Sequence, residues 1–292
     1  MNFVPNDRCI EEKININPHK CPIPFFYIKP KNISEESSIF IFLGGLDATN
    51  AQVRLLNYPI FDNHFLVTYE RMGSIENQNK AKRWMRCYVN ELDRIISYVL
   101  TKFGNRKIFL IGESWGGGIA IAYQKKHYAK IAGVAVWNIP DRVQDSSGRS
   151  LKYKISILPS ILLSILFGIK TYDPFPDTDE VDVLSSNILV RRIKKINIKK
   201  YQRNNVSLLA AWWAIKPTWK KIKKILRKES YRFFYIQSKD DKMMHFSFFE
   251  KISSLDQYHK CHTLDGGYHI LSTEDKWGEK LFDLINQLFV FH

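Results

Sequence analysis

Short, dense apolar runs punctuate this chain and alternate with longer stretches of helical spacing. Phe25–Ile28 (FFYI), Ser38–Leu43 (SIFIFL) and His64–Tyr69 (HFLVTY) read as strands. Lys80–Phe103 follows with Trp84, Cys87, Tyr88, Leu92, Ile95, Ile96 and Val99 at helical intervals, and Gly104-Asn105 stops it. Ile108–Ile111 (IFLI) is a continuous apolar run, the pattern of a strand buried on both faces of a parallel sheet. Ile119–Tyr123 reads as a helix, and Ile131–Trp137 as the next strand, closed by Asn138-Ile139-Pro140. After a long interruption the alternation resumes: strand Tyr231–Gln237, helix Phe246–Leu255, strand Tyr258–Leu264, terminal helix Glu274–Leu288. Residues 1–20 read as polar and peripheral, and Ala51–Asn57 as a short helix.

The interruption, residues 146–230, holds no convincing strand. It contains an apolar run, Ile155–Ile169, an acidic turn, Asp173–Asp182, and then basic segments of helical pattern. The apolar run is short and carries Pro159, so it falls below a comfortable transmembrane span. Strand–helix alternation with one break predicts an α/β fold, a mostly parallel central sheet flanked by helices. The expected division is a core over 1–145 and 231–292, with a helical insertion over 146–230.

Charge sharpens this division. Residues 146–230 hold 18 Lys+Arg against 6 Asp+Glu, a net +12 of the chain's +15. Coding bias toward lysine would spread the charge more evenly. The basic pairs Arg191-Arg192, Lys194-Lys195, Lys199-Lys200, Lys220-Lys221 and Lys223-Lys224 are interleaved with Ile193, Ile196, Ile198, Trp212, Trp213, Trp219, Ile222 and Ile225. Such interleaving suits peripheral contact with an anionic membrane surface. Nucleic acid is the rival anion, but no recognised nucleic-acid motif accompanies the charge, so none is expected as a partner. The four cysteines, Cys9, Cys21, Cys87 and Cys261, have no C-x-x-C or zinc spacing, and the N-terminus has no apolar signal region. Free thiols in the cytoplasm are the expectation, with a Cys9–Cys21 disulfide the lesser alternative.

Candidate chemistry centres on Lys107–Ala120, KIFLIGESWGGGIA. A G-x-S-x-G pattern, Gly112 to Gly116, stands where a strand passes into a helix. A serine in so tight a turn is strained and exposes its hydroxyl, and the following helix N-terminus offers N–H groups and positive dipole to an oxyanion. Two further strand ends supply what a serine nucleophile needs. After YRFFYIQ come Asp240 and Asp241, and after YHKCHTL comes Asp265-Gly266-Gly267-Tyr268-His269. The order serine, acid, histidine is that of the α/β hydrolases. In these roles His269 takes the proton of Ser114 and an aspartate fixes the imidazole tautomer. His245, His259 and His262 are weaker rivals, because none follows a strand-ending Gly-Gly. The oxyanion donors are expected from the N–H of Trp115 and, after Gly44-Gly45, from the N–H of Leu46. Gly44-Gly45 as an ordinary turn is the plainer alternative.

These residues resemble the α/β-hydrolase superfamily, in particular the serine-hydrolase branch of monoacylglycerol lipases, lysophospholipases and S33-type aminopeptidases, over about residues 36–292. FLGGLD stands for the usual His-Gly-x loop, YERMGS for the Arg-Gly-x-Gly-x-Ser loop, GESWGG for the elbow, SKDDKMM for Gly-x-x-Asp, and GGYHILSTED for the histidine loop. The resemblance places the acid at Asp241 rather than Asp240. It also makes the insertion a cap over the site. Four positions depart from the pattern: Gly44 and Glu113 replace histidines, Ser238 replaces a glycine, and the RMGS loop lacks a glycine. No triad member is lost.

The expected activity is that of a serine ester hydrolase on a lipid-like acyl ester such as a monoacylglycerol or lysophospholipid, with no metal or organic cofactor implied. The run Ile155–Ile169 would then roof an acyl tunnel above Ser114, or else form plain cap core. An aminopeptidase is the nearest alternative. It would need an acidic group in the cap for a free amine, and Glu180 and Asp182 are the weak candidates. A hydrolase-fold protein that binds a lipid or small ligand without turnover is the alternative of a different class.

Overall fold

The computed structural model describes residues 7–16, 21–45, 56–72, 85–139, 222–242 and 246–290. Among these residues eight strands form one sheet: β1 (Cys9–Ile14), β2 (Ile23–Ile28), β3 (Ile39–Leu43), β4 (Phe65–Tyr69), β5 (Ile108–Glu113), β6 (Gly133–Trp137), β7 (Phe233–Ser238) and β8 (Cys261–Leu264). Their order across the sheet is β1-β2-β4-β3-β5-β6-β7-β8. β2 runs antiparallel to both β1 and β4, and every pairing from β4 onward is parallel. Among the described residues, the helices α1 (Met85–Phe103), α2 (Trp115–His127), α3 (Phe246–Ser253) and α4 (Asp275–Val290) flank the sheet.

The central strands are apolar throughout because both their faces are covered. Successive side chains alternate between the two faces. Ile39, Ile41, Leu43, Ile108, Leu110, Val134 and Val136 enter one core, which contains Leu92, Ile95, Ile96 and Val99 of α1 and Ile119 and Tyr123 of α2. Phe40, Phe42, Phe109, Ile111, Ala135 and Trp137 enter the other, against Leu281, Phe282, Ile285 and Phe289 of α4. The buried positions of α1 recur three and four residues apart, so one stripe meets the sheet.

Two expectations change. Residues 9–14, read as peripheral, form the edge strand β1. An edge strand needs one neighbour and one partly covered face, so CIEEKI can pair with β2 while burying fully only Ile14. The last strand is shorter than Tyr258–Leu264. Asp256 accepts the N–H of Tyr258 at 3.1 Å and of Cys261 at 2.7 Å, so the chain bends at 258–260 before entering β8. The four thiols are free, which disposes of a Cys9–Cys21 disulfide.

The cap expected over 146–230 lies outside the described residues up to 221, and so do the run Ile155–Ile169, Glu180 and Asp182. Its last part is described. Ile222, Ile225 and Leu226 are buried in the first core, while Lys223 and Lys224 are exposed. At this end of the basic stretch, then, charge alone faces solvent. Among the described residues no helix is long and apolar enough to cross a membrane.

The sheet order fixes where a site can form. The chain passes from β3 outward to β4, then returns to β5 on the other side of β3. Loops leaving β3 and β5 therefore diverge at the C-terminal edge, the place where open α/β sheets hold ligands.

Candidate functional site

Ser114 stands at that divergence, between the last residue of β5 and the first of α2. The ladder of β5 with β6 continues right up to it: its N–H donates to the carbonyl of Trp137 at 3.0 Å. Its backbone has φ 52° and ψ −122°, a region that L-residues rarely adopt and that costs about 1–3 kcal/mol. The turn is tight because glycines permit it. A Cβ on Gly112 would stand 2.7 Å from the Cα of Gly117, and one on Gly116 would collide with the backbone of Leu43. Strand, elbow and helix can pack this closely only without those side chains.

The predicted partners converge on the serine from β7 and from the loop after β8. Ser114 Oγ donates to His269 Nε2 at 2.9 Å. His269 Nδ1 donates to Asp241 Oδ2 at 2.9 Å. All three residues are buried, with the Asp241 side chain wholly so. Asp240, one residue earlier, is exposed. The rival histidines stand elsewhere: His259 is exposed, with φ 54°, and the His262 ring lies against Phe234. His245 lies outside the described residues. The arrangement can move a proton from a hydroxyl to an imidazole whose other nitrogen is held by a carboxylate.

Of the two expected oxyanion donors, Trp115 is the first residue of α2, where helix N–H groups have no intrahelical acceptor. Leu46 lies outside the described residues. The loop leading to it is described as far as Gly45, whose Cβ position would be 3.3 Å from that of Ser114. The guanidinium of Arg71 donates to the Gly45 carbonyl at 2.5 Å. Both Glu91 carboxyl oxygens accept the N–H of Met72, at 3.2 Å each. Thus α1 braces the segment after β4, and that segment holds the loop after β3.

Three polar residues behind the site were not assigned parts from sequence. Glu113 is buried; it accepts the indole N–H of Trp137 at 2.8 Å and the N–H and hydroxyl of Ser272 at 3.3 and 3.1 Å. Burial pushes its carboxyl above the usual range, against the opposing pull of Trp137, His269 and Ser272. Asn138 and Ser238 are fully buried at the ends of β6 and β7. The available signal was positional: each is a polar residue closing an apolar strand on the edge that carries the elbow. Tyr58 completes this wall, donating to the Ser272 carbonyl at 2.9 Å, with its hydroxyl pKa raised mainly by burial.

Comparison with known proteins agrees with this architecture. Residues 76–276 match the model of the family described as serine aminopeptidase, S33. A soluble variant of monoglyceride lipase from Saccharomyces cerevisiae, solved with a substrate analogue, superposes with a TM-score of 0.67 at 16% identity, covering 99% of this chain and 96% of that one. The monoacylglycerol lipase of Paleococcus ferrophilus gives 0.64 at 15% identity, over 92% and 99% of the two chains. A thioesterase domain from the curacin biosynthetic pathway gives 0.63 at 14%, over 95% and 99%. At such identities the likeness to these structures is one of fold, the α/β-hydrolase fold.

Proposed function

The chain belongs to the serine aminopeptidase S33 family, within the α/β-hydrolase superfamily, and from that premise we propose that it is a serine-dependent carboxylic ester hydrolase acting on lipid-like acyl esters such as monoacylglycerols or lysophospholipids. One observation carries the reading: the hydrogen-bonded series Ser114, His269, Asp241, at 2.9 Å in each step, with the serine on a strained elbow at the switch point of the sheet. In this mechanism Ser114 Oγ attacks the acyl carbon as His269 Nε2 takes its proton. Asp241 holds the ring with Nδ1 protonated and favours the imidazolium that forms. The N–H groups of Trp115 and Leu46 receive the oxyanion. His269 then gives its proton to the departing alcohol, and the same imidazole activates water against the acyl-enzyme. No step requires a metal or organic cofactor.

The substrate class draws on three supports: the lipases among the structural neighbours, and, in the sequence, the apolar run Ile155–Ile169 and the basic stretch. With net +12 over 146–230, that stretch suits an anionic lipid surface, where each basic residue contributes about 1 kcal/mol. The family's description favours a second reading, an aminopeptidase. Labelling with a fluorophosphonate, then assay of p-nitrophenyl esters of rising chain length beside aminoacyl anilides, separates the two. Ester turnover with no anilide turnover is expected. Anilide turnover alone would transfer the assignment to the peptidase, and an unlabelled protein inert to both would leave a ligand-binding one.

A further inference from the structure

The loop that carries His269 has little to hold it by its own side chains. It enters through Gly266 and Gly267, the latter at φ 102°, and reaches the histidine without helix or strand. Yet His269 must meet two partners at once, Ser114 through one ring nitrogen and Asp241 through the other. A displacement of the backbone by about 1 Å would break one of those bonds and can cost on the order of 100-fold in rate. Whatever fixes the loop therefore fixes the proton path.

Glu274 accepts the N–H of Tyr268 at 3.1 Å, and the carbonyls of the loop are taken up by the neighbouring strand ends. Ser238, closing β7, turns its hydroxyl to the carbonyl of Gly266 at 3.0 Å and to that of Gly267. Asn138, following β6, donates through Nδ2 to the carbonyls of Tyr268 at 3.1 Å and of His269 at 2.9 Å. Four successive carbonyls, from Gly266 to His269, thus face two side chains, the two amide protons of Asn138 serving the last pair and the single hydroxyl proton of Ser238 shared by the first. The two grips are joined, because Asn138 Oδ1 accepts the backbone N–H of Ser238 at 3.0 Å. Both residues are at 0% exposure, so water does not compete for these bonds. Asn138 has φ 48°, which asparagine tolerates better than most residues. The conformation aims its amide at the loop.

We infer that Asn138 and Ser238 are positioning residues, which set the imidazole of His269 between Ser114 and Asp241 by holding its loop through consecutive carbonyls. The inference rests on the hydrolytic reading above, since it is the proton path that they serve. Neither residue touches the reacting atoms.

The test uses the full-length protein with Asn138→Gly, which leaves the positive φ accessible, and Ser238→Ala. Turnover of p-nitrophenyl acetate is normalised to the fraction labelled by a fluorophosphonate. The far-downfield proton resonance of the His269–Asp241 hydrogen bond is followed by NMR, with Asp241→Asn as the reference for its loss. For Asn138→Gly, kcat per labelled site should fall roughly 10–100-fold with KM changed less than about twofold, and the resonance should broaden or vanish. Ser238→Ala should move both readouts the same way by less, and it carries the test alone should Asn138→Gly fail to fold. Variants that melt earlier but keep both kcat per site and the resonance overturn the inference, because a merely structural role predicts that. A wild-type protein with no turnover would instead remove the hydrolytic reading. The resonance would still decide whether Asn138 and Ser238 set the imidazole.

Discussion

The hydroxyl of Ser272 reaches both carboxyl oxygens of Glu113, at 3.1 and 3.2 Å, and so ties the residue before the serine to the turn after the histidine. The contact joins positions 159 residues apart in sequence and seals the elbow from behind. It also buries a carboxyl whose ionisation the protein disfavours.

That ionisation gives the first prediction. Burial raises the Glu113 pKa in the folded state. Between the ordinary glutamate range and the raised value, the folded chain keeps a proton that the unfolded chain has released. Stability therefore falls as pH rises through this window and levels off above it. Glu113→Gln removes the titration while leaving an acceptor for Trp137 and a donor for Ser272. Urea unfolding across pH 4–9 should show the wild type losing stability relative to the variant with rising pH; parallel curves would mean that Glu113 does not titrate differently on folding.

The predictions for Ser114, His269 and Asp241 are sharper because, in the proposed mechanism, these residues act as a unit. Ser114→Ala and His269→Ala should each lower kcat by about 10⁴-fold or more, and Ser114→Ala should abolish fluorophosphonate labelling. Asp241→Asn should cost roughly 10³–10⁴-fold, through the wrong imidazole tautomer. Asp240→Asn should stay within about twofold, since Asp240 is exposed. Steady-state kinetics on one activated ester checks all four, and a larger loss at Asp240 than at Asp241 would move the acid by one position.

The elbow itself stores measurable strain. Ser114 at φ 52°, ψ −122° occupies a region suited to glycine. Ser114→Gly and Ser114→Ala both delete the hydroxyl, but only glycine relaxes the backbone. Ser114→Gly should therefore be the more stable of the two inactive variants by about 1–2 kcal/mol, read as a difference in denaturant midpoint at equal slope. Equal midpoints would mean that the elbow is not strained.

Much of this architecture was legible in the chain. Parallel strands buried on both faces leave continuous apolar runs, which is why β3, β5 and β6 stand out, whereas the edge strand β1 buries almost nothing and leaves no such mark. The convergence of Ser114, Asp241 and His269 was readable because each follows a strand end in a fixed order. The polar wall of Glu113, Asn138 and Ser238 was not. Its meaning depends on which strands are neighbours, and β7 joins β6 only across the long insertion. Ile222 and Ile225 illustrate the opposite error: interleaved with lysines they resemble a membrane-facing edge, yet packing turns both inward.

That inward turn shapes the last prediction, which concerns the basic stretch. With Ile222 and Ile225 buried, Lys223 and Lys224 offer an anionic surface charge without an inserted apolar side chain. If residues 146–230 dock on lipid as proposed, this end of the contact is purely electrostatic. Binding should require anionic lipid and weaken as salt shortens the screening length. Each lysine near such a surface contributes about 1 kcal/mol. Replacing both, Lys223→Gln with Lys224→Gln, should then weaken binding by about 2 kcal/mol, roughly 30-fold. Co-sedimentation with vesicles of anionic or purely zwitterionic lipid, at several salt concentrations, measures this directly. Turnover of a short, water-soluble ester by the same variant should be unchanged, because neither lysine belongs to the site. Equal partition to both vesicle types would point to apolar insertion elsewhere in the stretch, and no partition to either would remove the membrane contact while leaving the hydrolase assignment in place.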